Sequence, residues 1–209
     1  MSEGMLVVIS APSGAGKTTL CERMIQELPD AVYSISCTTR KPRGDEQHGR
    51  EYYFLTDEVF AAKLAAGEFI EHATVHGKSY GTLRQTLVSE LEAGRTVLLD
   101  IDVQGAEQIR NQVRRADCPE TLRSAFVDVF IEPPSLDVLR QRLERRGEDT
   151  PDVIAERVRN AASELAQKGA FAYRVVNDDL DRAFGALKSI VQANRRSPDE
   201  VRGPDAVKS

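Results

Sequence analysis

Short apolar runs alternate with amphipathic stretches along most of the chain. Residues 5–9 are five apolar residues in succession, which is typical of a parallel strand covered on both faces. Apolar positions at helical spacing follow, and they place Met24, Ile25 and Leu28 on one stripe of a helix. Similar strand and helix pairs return in the second half of the chain. The pattern predicts an α/β fold with a parallel β-sheet flanked by helices.

The other elements are predicted from the same spacing of apolar and polar residues. In order they are a strand over 33–38, an aromatic strand over 51–55, a helix after Thr56, strands over 69–75 and 79–80, a helix over 83–91, a strand over 96–102, a helix over 104–113, a strand over 126–131, helices opening near 135 and 150, a strand over 173–177 and a helix over 180–193. Val59, Phe60 and Leu64 form the predicted apolar stripe of the helix after Thr56. The connection over 111–124 is predicted to contain a polar loop through 117–120.

This succession divides the chain into four parts. A core over 1–33, 83–134 and 170–196 keeps the α/β alternation, whereas 34–82 is a β-rich insertion of the kind that usually shapes a site. A pair of helices occupies 135–169. Residues 197–209 carry many charges and few apolar residues, so we expect a disordered tail.

The junction between the first strand and the first helix carries a phosphate-binding motif. The motif comprises Ala11, Pro12, Ser13, Gly14, Ala15, Gly16, Lys17, Thr18 and Thr19. It fits the P-loop pattern G-x-x-x-x-G-K-[ST], except that Ala11 replaces the first glycine. The glycines let backbone N–H groups point at a phosphate, Lys17 reaches the β- and γ-phosphates, and the Thr18 hydroxyl can ligate Mg²⁺. The motif predicts an ATP site in a P-loop NTPase core.

Two carboxylates end the apolar strand over 96–102. In a parallel sheet the carboxyl ends of the strands share one edge, so Asp100 and Asp102 should lie beside the P-loop. A hydrophobic strand that ends in Asp is the usual Walker B arrangement around Mg²⁺. Thr18, Asp100 and Asp102 are therefore the candidate metal ligands, with Mg²⁺ as the cofactor.

Composition and charge restrict the classes of partner. The formal net charge of -5 argues against general binding of nucleic acid, and no apolar run approaches the length of a membrane span. No signal peptide precedes the first strand, so we expect a cytoplasmic protein, either a monomer or a small homo-oligomer. The three cysteines include no C-x-x-C pair and should be reduced thiols. His72 and His76 are expected to play an ordinary polar role.

Six segments taken together resemble the guanylate kinase family. They are residues 10–17 (SAPSGAGK), 36–43 (SCTTRKPR), 67–71 (GEFIE), 80–82 (YGT), 99–105 (LDIDVQG) and 176–180 (VNDDL). The resemblance implies a β-rich GMP-binding insertion over 34–82, and a mobile helical lid with the helix that follows it over 135–169. It also implies the reaction ATP + GMP ⇌ ADP + GDP with Mg²⁺, with dGMP as a further acceptor.

The resemblance assigns roles to individual residues. The guanine contacts are Ser36, Glu71 and Thr82; the GMP phosphate contacts are Arg40, Arg43, Tyr52 and Tyr80; Asp100 also belongs to the GMP site; the catalytic cations are Lys17 and the lid residues Arg142, Arg146 and Arg157; and Asn177 lies near the ATP base. In the open enzyme we expect the lid arginines to contact only solvent.

Elementary chemistry agrees with the main assignments. A carboxylate only accepts hydrogen bonds, and guanine offers adjacent N1–H and N2–H donors that adenine lacks, so Glu71 suits guanine. Arg40 and Arg43 suit phosphate oxygens, which explains a basic loop in an acidic protein. The alternatives are a solvated basic loop, a surface glutamate, and core roles for Tyr52 and Tyr80.

Two other functions compete with the kinase interpretation. An interaction module could keep the fold without the chemistry, but it would be expected to lack parts of the phosphate site that are present here. A P-loop kinase could instead act on another phosphate ester, such as a ribose bisphosphate. The three guanine contacts argue against that alternative.

Overall fold

The computed structural model describes residues 4–147 and 149–195. The strands are β1 (Met5–Ser10), β2 (Ala31–Tyr33), β3 (Cys37–Thr38), β4 (Tyr53–Phe54), β5 (Phe69–Val75), β6 (Lys78–Leu83), β7 (Thr96–Asp100), β8 (Phe126–Glu132) and β9 (Tyr173–Val176). The α-helices are α1 (Lys17–Glu27), α2 (Asp57–Ala65), α3 (Arg84–Glu92), α4 (Val103–Val113), α5 (Glu120–Ala125), α6 (Leu136–Arg146), α7 (Pro151–Leu165) and α8 (Leu180–Asn194). None of the helices in the described residues is long and apolar enough to cross a bilayer.

A parallel sheet of five strands forms the centre of the molecule, in the order β2-β7-β1-β8-β9. All six residues of β1 are buried, as its unbroken apolar run predicts. Alternate residues along the strand point to opposite faces: Val7 packs toward α1 and α8, whereas Val8 packs toward α3 and α4. Helices thus cover both faces of the sheet, and the predicted fold class is confirmed.

A second sheet, in the order β4-β3-β6-β5, is built from the insertion. The pairs β3–β6 and β5–β6 are antiparallel. The β5–β6 hairpin turns at His76 and Gly77, which have φ angles of 48° and 70°. Successive residues with positive φ are the mark of the tight hairpin turn that follows strand twist.

The predicted strand over 33–38 is wrong in its middle. The Ser34 amide continues the pairing of β2 by donating to the Leu98 carbonyl at 2.9 Å, while the Ser36 carbonyl already accepts from Tyr53 in the second sheet at 2.9 Å. The chain passes from the first sheet to the second between these residues. The alternation of apolar and hydroxyl residues over 33–38 therefore combines the end of one strand with the start of another. The predicted aromatic strand over 51–55 is likewise reduced to β4.

The predicted apolar stripe of α2 is also wrong in part. Phe60 is 4% exposed and stacks on Phe69 with 4.4 Å between ring centroids, but Val59 and Leu64 are 44% and 40% exposed. The core cluster under this helix has only three buried members, Cys37 among them. So small a cluster covers one row of side chains and leaves the flanking rows in water.

The connection over 111–124 contains a helix that the sequence did not predict. Leu122 on α5 is fully buried against the α3 and α4 side of the sheet, and the backbone of Pro119 accepts the first helical bond at 3.0 Å. Cys118, just before it, is a free thiol, as are Cys21 and Cys37. The predicted disorder of 197–209 lies outside the described residues.

Candidate active site

The loop over 11–16 joins the end of β1 to the start of α1. Gly14 and Gly16 have φ angles of 89° and 92°, in the left-handed region that favours glycine. A Cβ on Gly16 would also lie 2.3 Å from Nδ2 of Asn177. The turn therefore favours glycine at both positions, and the close approach of a buried amide adds a second reason at Gly16.

Ala11, at the position of the first motif glycine, does not need glycine's freedom. Among the described residues only His76 combines a side chain with a positive φ. Ala11 is 7% exposed and its methyl group belongs to the core cluster on the α1 and α8 face. The departure from the motif thus adds a core contact and leaves the loop unchanged.

The side chain of Lys17 lies at the end of the neighbouring strand. Its Nζ forms an ion pair with Oδ1 of Asp100 and donates to the Ile101 carbonyl at 3.2 Å. This ammonium sits in the first turn of α1, where the helix terminus also carries partial positive charge. The two features place positive charge where the P-loop pattern predicts a phosphate.

The candidate magnesium ligands lie around the same point. Thr18 is exposed, Asp100 is paired with Lys17, and Asp102 caps α4 by accepting from the Gly105 amide at 2.8 Å. Within 4–147 and 149–195, no group of three or more His, Cys, Asp and Glu is placed to hold a metal alone. Mg²⁺ usually takes one or two protein oxygens and completes its shell with water and phosphate, and this set of oxygens fits such a site.

A cavity of about 720 Å³ opens over the P-loop. Its walls come from the P-loop, from the acidic ends near β7, and from the lid helices; they are Ala11, Pro12, Ser13, Gly14, Gly16, Lys17, Thr18, Thr19, Asp100, Asp102, Arg142, Arg145, Arg146 and Glu164. Positive and negative groups face one another across it. The volume lies within the usual range for small-molecule sites.

The helix α6 packs directly over the P-loop. A Cβ on Gly14 would lie about 3.0 Å from Leu143 Cδ2 and 3.1 Å from Leu139 Cδ1. Both leucines are fully buried in a cluster that α6 shares with α7. The contact holds the basic end of α6 at the cavity.

The expectation that the lid arginines contact only solvent is wrong for two of them. Arg142 donates to the Asn177 carbonyl at 2.8 Å, and Arg157 donates to Ser13 Oγ at 3.1 Å and pairs with Asp149. The cause is the packing of α6 on the loop, which brings protein acceptors within their reach. Arg146 is exposed at the end of α6.

Asn177 is placed behind the P-loop. The residue is 5% exposed, and its Nδ2 donates to the Ala15 carbonyl at 2.7 Å while its own carbonyl accepts from Arg142. A contact between Asn177 and the ATP base stays a prediction. Asn177 connects the loop, the end of β9 and the lid.

The second sheet brings together the three residues assigned to guanine. Glu71 is 6% exposed; its Oε1 accepts from Thr82 Oγ1 at 2.6 Å, and that hydroxyl lies 3.3 Å from Ser36 Oγ. Burial raises the pKa of Glu71, and the charge on Asp102 raises it further, against the lowering effect of the Thr82 hydroxyl. A Cβ on Gly105 would lie 3.3 Å from Glu71 Oε2, so the carboxylate adjoins the start of α4.

The residues assigned to the GMP phosphate lie on the basic loop and the adjoining strands. The Arg40 guanidinium lies over the Tyr52 ring, with 5.3 Å from Cζ to the centroid, and the Tyr52 and Tyr80 rings are 6.0 Å apart. Both tyrosines are half-buried, and Arg43 is exposed. Their grouping agrees with a shared binding surface more closely than with separate core roles.

Three charged residues near these sites were missed from the sequence. Arg145 and Glu164 line the large cavity, and Glu46 pairs with Arg40 at 2.8 Å. Glu164 stands seven residues after Arg157, which is two helical turns on the same face, so that spacing was an available signal. The Glu46 pairing depends on a turn in the loop that no periodicity indicates.

Comparisons with known proteins agree on one family. The guanylate kinase family model matches residues 3–194. A guanylate kinase of Ruegeria pomeroyi is 43% identical over 192 residues, covering 92% of this chain and 86% of that protein. One of Hahella chejuensis is 45% identical over 195 residues, covering 93% and 89%. A crystal structure of guanylate kinase from Anaplasma phagocytophilum superposes with a TM-score of 0.68 at 31% identity, covering 95% of this chain and 89% of that one.

Proposed function

The chain belongs to the guanylate kinase family, and we propose that the two sites described above carry out the ATP-dependent phosphorylation of GMP that defines it. The large cavity over the P-loop takes ATP, and the pocket around Glu71 takes GMP. The reaction is the reversible transfer of the γ-phosphoryl group, giving ADP and GDP.

The observation that carries the proposal is a buried carboxylate placed beside a P-loop. Glu71 is 6% exposed and adjoins the start of α4, and the residue that caps that helix, Asp102, lines the P-loop cavity. A buried carboxylate costs stability unless something pairs with it. Within the described residues the hydrogen bonds to this carboxylate come from Thr82. Guanine would add two adjacent N–H donors.

The chemistry needs no general base. The acceptor is an oxygen of the GMP phosphate, whose second pKa of about 6 leaves it ionised at neutral pH. Catalysis then consists of holding the two phosphates in line and neutralising charge. Lys17 neutralises the β- and γ-phosphates. To reach them, its ammonium must partly break the ion pair with Asp100, so ATP binding also releases the Asp100 carboxylate.

Magnesium supplies charge neutralisation on the ATP phosphates when it is bound. Thr18 and Asp100 are the proposed ligands, and Asp102, one of whose oxygens already caps α4, is a weaker candidate. Freeing Asp100 from Lys17 makes its carboxylate available for this role.

The lid arginines act on closure. Arg142 and Arg157 already lie at the P-loop, so a small movement of α6 and α7 would bring them to the phosphates. Arg146 is the member with the most freedom to move onto the transferring group. Closure also excludes water, which would otherwise compete as an acceptor.

The proposed contacts involve the base and the phosphate, and none is assigned to the 2′-hydroxyl. We therefore propose that dGMP is accepted as well. ATP and GMP are the partners, the cytoplasm is the proposed location, and a monomer or small homo-oligomer is the proposed state.

One assay tests this function against its rivals. ADP release is measured by a coupled enzyme with GMP, dGMP, AMP, UMP, CMP, IMP and a ribose bisphosphate as acceptors. GMP and dGMP should be used far better than AMP. If the ribose bisphosphate were turned over and the nucleoside monophosphates were not, the protein would be a P-loop kinase of another phosphate ester. If nucleotides bound without turnover, it would be an interaction module.

A further inference from the structure

Glu46 forms a two-point contact with Arg40. Oε2 and Oε1 of Glu46 accept from Nη1 and Nη2 of Arg40 at 2.8 and 2.9 Å. Parallel bonds of this kind fix direction as well as distance. Nη1 also donates to the Lys41 carbonyl at 2.9 Å. Three of the five N–H donors of the guanidinium are therefore occupied. They are the two hydrogens of Nη1 and the hydrogen of Nη2 that points away from Nε.

The two remaining donors share one edge of the Arg40 guanidinium. They are Nε–H and the second hydrogen of Nη2, which lie side by side and match two oxygens of a phosphate. Within the described residues no hydrogen bond of good geometry uses either donor. Tyr80 lies beside the same guanidinium and helps to raise its pKa, after the larger effect of Glu46.

The orientation of the guanidinium is defined in all directions. The Arg40 Cζ lies over the rings of Tyr52 and Phe54, 5.3 and 5.9 Å from their centroids, and these rings limit the tilt of the guanidinium plane. Rotation within that plane is restricted by Glu46. Only 11% of the Arg40 side chain is exposed, so few other orientations are open to it.

Glu46 also organises the loop that carries the second arginine. Its Oε2 accepts from the Arg43 amide at 2.8 Å, and its own amide donates to the Arg43 carbonyl at 3.0 Å. Bonds from Arg40 and from the Arg43 amide lower the pKa of Glu46, so the carboxylate stays ionised.

We propose that Glu46 is a positioning residue of the acceptor site, which turns Arg40 so that its free edge faces two oxygens of the GMP phosphate. The proposal rests on the proposed function. Glu46 also repels the phosphate, but its side chain is 24% exposed and each of its oxygens is already bonded to Arg40, so solvent and the pair itself weaken that repulsion.

Glu46→Gln is the informative variant, because it keeps one acceptor oxygen but turns an amide N–H₂ toward the guanidinium. Binding of GMP and of guanosine, which lacks the phosphate, is measured by calorimetry without ATP. We expect the Kd for GMP to rise about 10- to 100-fold, a range set by the cost of misplacing one contact, while the Kd for guanosine is unchanged. KM for GMP should rise with kcat nearly constant.

Two further variants complete the experiment. Glu51→Gln is the matched control, since Glu51 accepts from the Gln47 amide in the same loop and does not contact Arg40. In an Arg40→Ala background Glu46→Gln should have little further effect, because it acts through Arg40. Additive losses in the double variant, or tighter GMP binding by Glu46→Gln, would overturn the positioning role. Turnover of GMP by the wild type would still support the proposed function in that case. A wild-type enzyme that fails to use GMP would overturn both.

Discussion

Thr82 donates its hydroxyl to Glu71 with 2.6 Å between Oγ1 and Oε1, and both side chains are buried. Hydrogen bonds from Thr82 lower the pKa of Glu71, but they do not offset the burial of the carboxylate, because the pKa remains above its ordinary value of 4.5. Because burial makes the charged form of Glu71 unfavourable, this carboxylate is better explained by binding a ligand than by stabilising the fold. At the proposed guanine site, function and stability therefore oppose each other.

Glu71→Gln should separate these two effects. The amide presents one acceptor and no charge, so kcat/KM for GMP should fall by ~2 to 4 kcal/mol in transition-state free energy, whereas the melting temperature should stay the same or rise. Steady-state kinetics and a thermal scan measure the two. Glu68→Gln is the control, since Glu68 is paired with Lys63 at the surface. Unchanged kinetics with GMP would refute the guanine assignment.

The pH dependence of Glu71 has a defined sign. Because its folded pKa is raised above 4.5, the protonated form is favoured in the folded state, and the stability that this residue contributes is lost as pH rises through the raised pKa. The advantage in melting temperature of Glu71→Gln over the wild type should therefore grow from pH 4.5 toward neutrality. GMP use by the wild type should fall as pH drops through the same range. A stability difference that is flat with pH would contradict the raised pKa.

Lys17→Met should abolish phosphoryl transfer and leave GMP binding nearly intact. The ammonium lies at the P-loop and contacts Asp100, away from the second sheet, and one lost charge contact in the transition state costs several kcal/mol. Single-turnover kinetics and GMP calorimetry are the measurements. Lys188→Met, at a surface pair with Glu27, is the control. Activity within about tenfold of the wild type would exclude the phosphate role.

Arg146→Ala should lower kcat by roughly a hundredfold or more, as for other arginines that neutralise a transferring phosphoryl group. The Kd for GMP without ATP should hardly change, because interactions made only on closure appear in turnover. Arg140→Ala, at an exposed position of the same helix outside the cavity lining, is the control. Weakened GMP binding at unaltered kcat would instead place Arg146 in a preformed acceptor pocket.

Asp128→Ala should destabilise the fold by about 3 to 5 kcal/mol, the usual cost of removing one partner of a buried ion pair. Asp128 accepts from Arg110 Nη1 and from the Ala172 amide, each at 2.8 Å, and the Arg110 guanidinium lies 4.4 Å from the Phe171 ring centroid. The free energy of unfolding in urea measures the loss. Asp181→Ala, at an exposed pair with Arg23, should change it little.

Where the buried face of an element follows from the local order of apolar and polar residues, the element was predictable from the sequence. Residues 5–9 are apolar without interruption because both faces of β1 are covered, and Thr56 begins α2 as expected, its Oγ1 accepting from Val59 at 3.3 Å. The P-loop, too, is a local motif whose strand and helix context can be checked nearby. In these places a residue's role depends on its close neighbours in sequence.

The rest depends on contacts between distant segments. Leu122 is buried because α5 packs against α3, which nothing in the polar run before it indicates. Arg110 lies on a predicted helix and its buried partner Asp128 stands 18 residues later on a strand, so the local pattern does not indicate their pairing. Likewise Arg157 meets Ser13 across 144 residues, so the idea that it contacts only solvent was wrong.

The strand order has a consequence for synthesis on the ribosome. β1 and β2 both pair with β7, and β1 also pairs with β8, so neither of the first two strands has a partner until Thr96–Asp100 has been made. The apolar segment at the amino end therefore leaves the exit tunnel long before its sheet can form. During that interval its apolar residues are exposed to water and to other chains, and the central sheet forms only after β7 and β8 have been made.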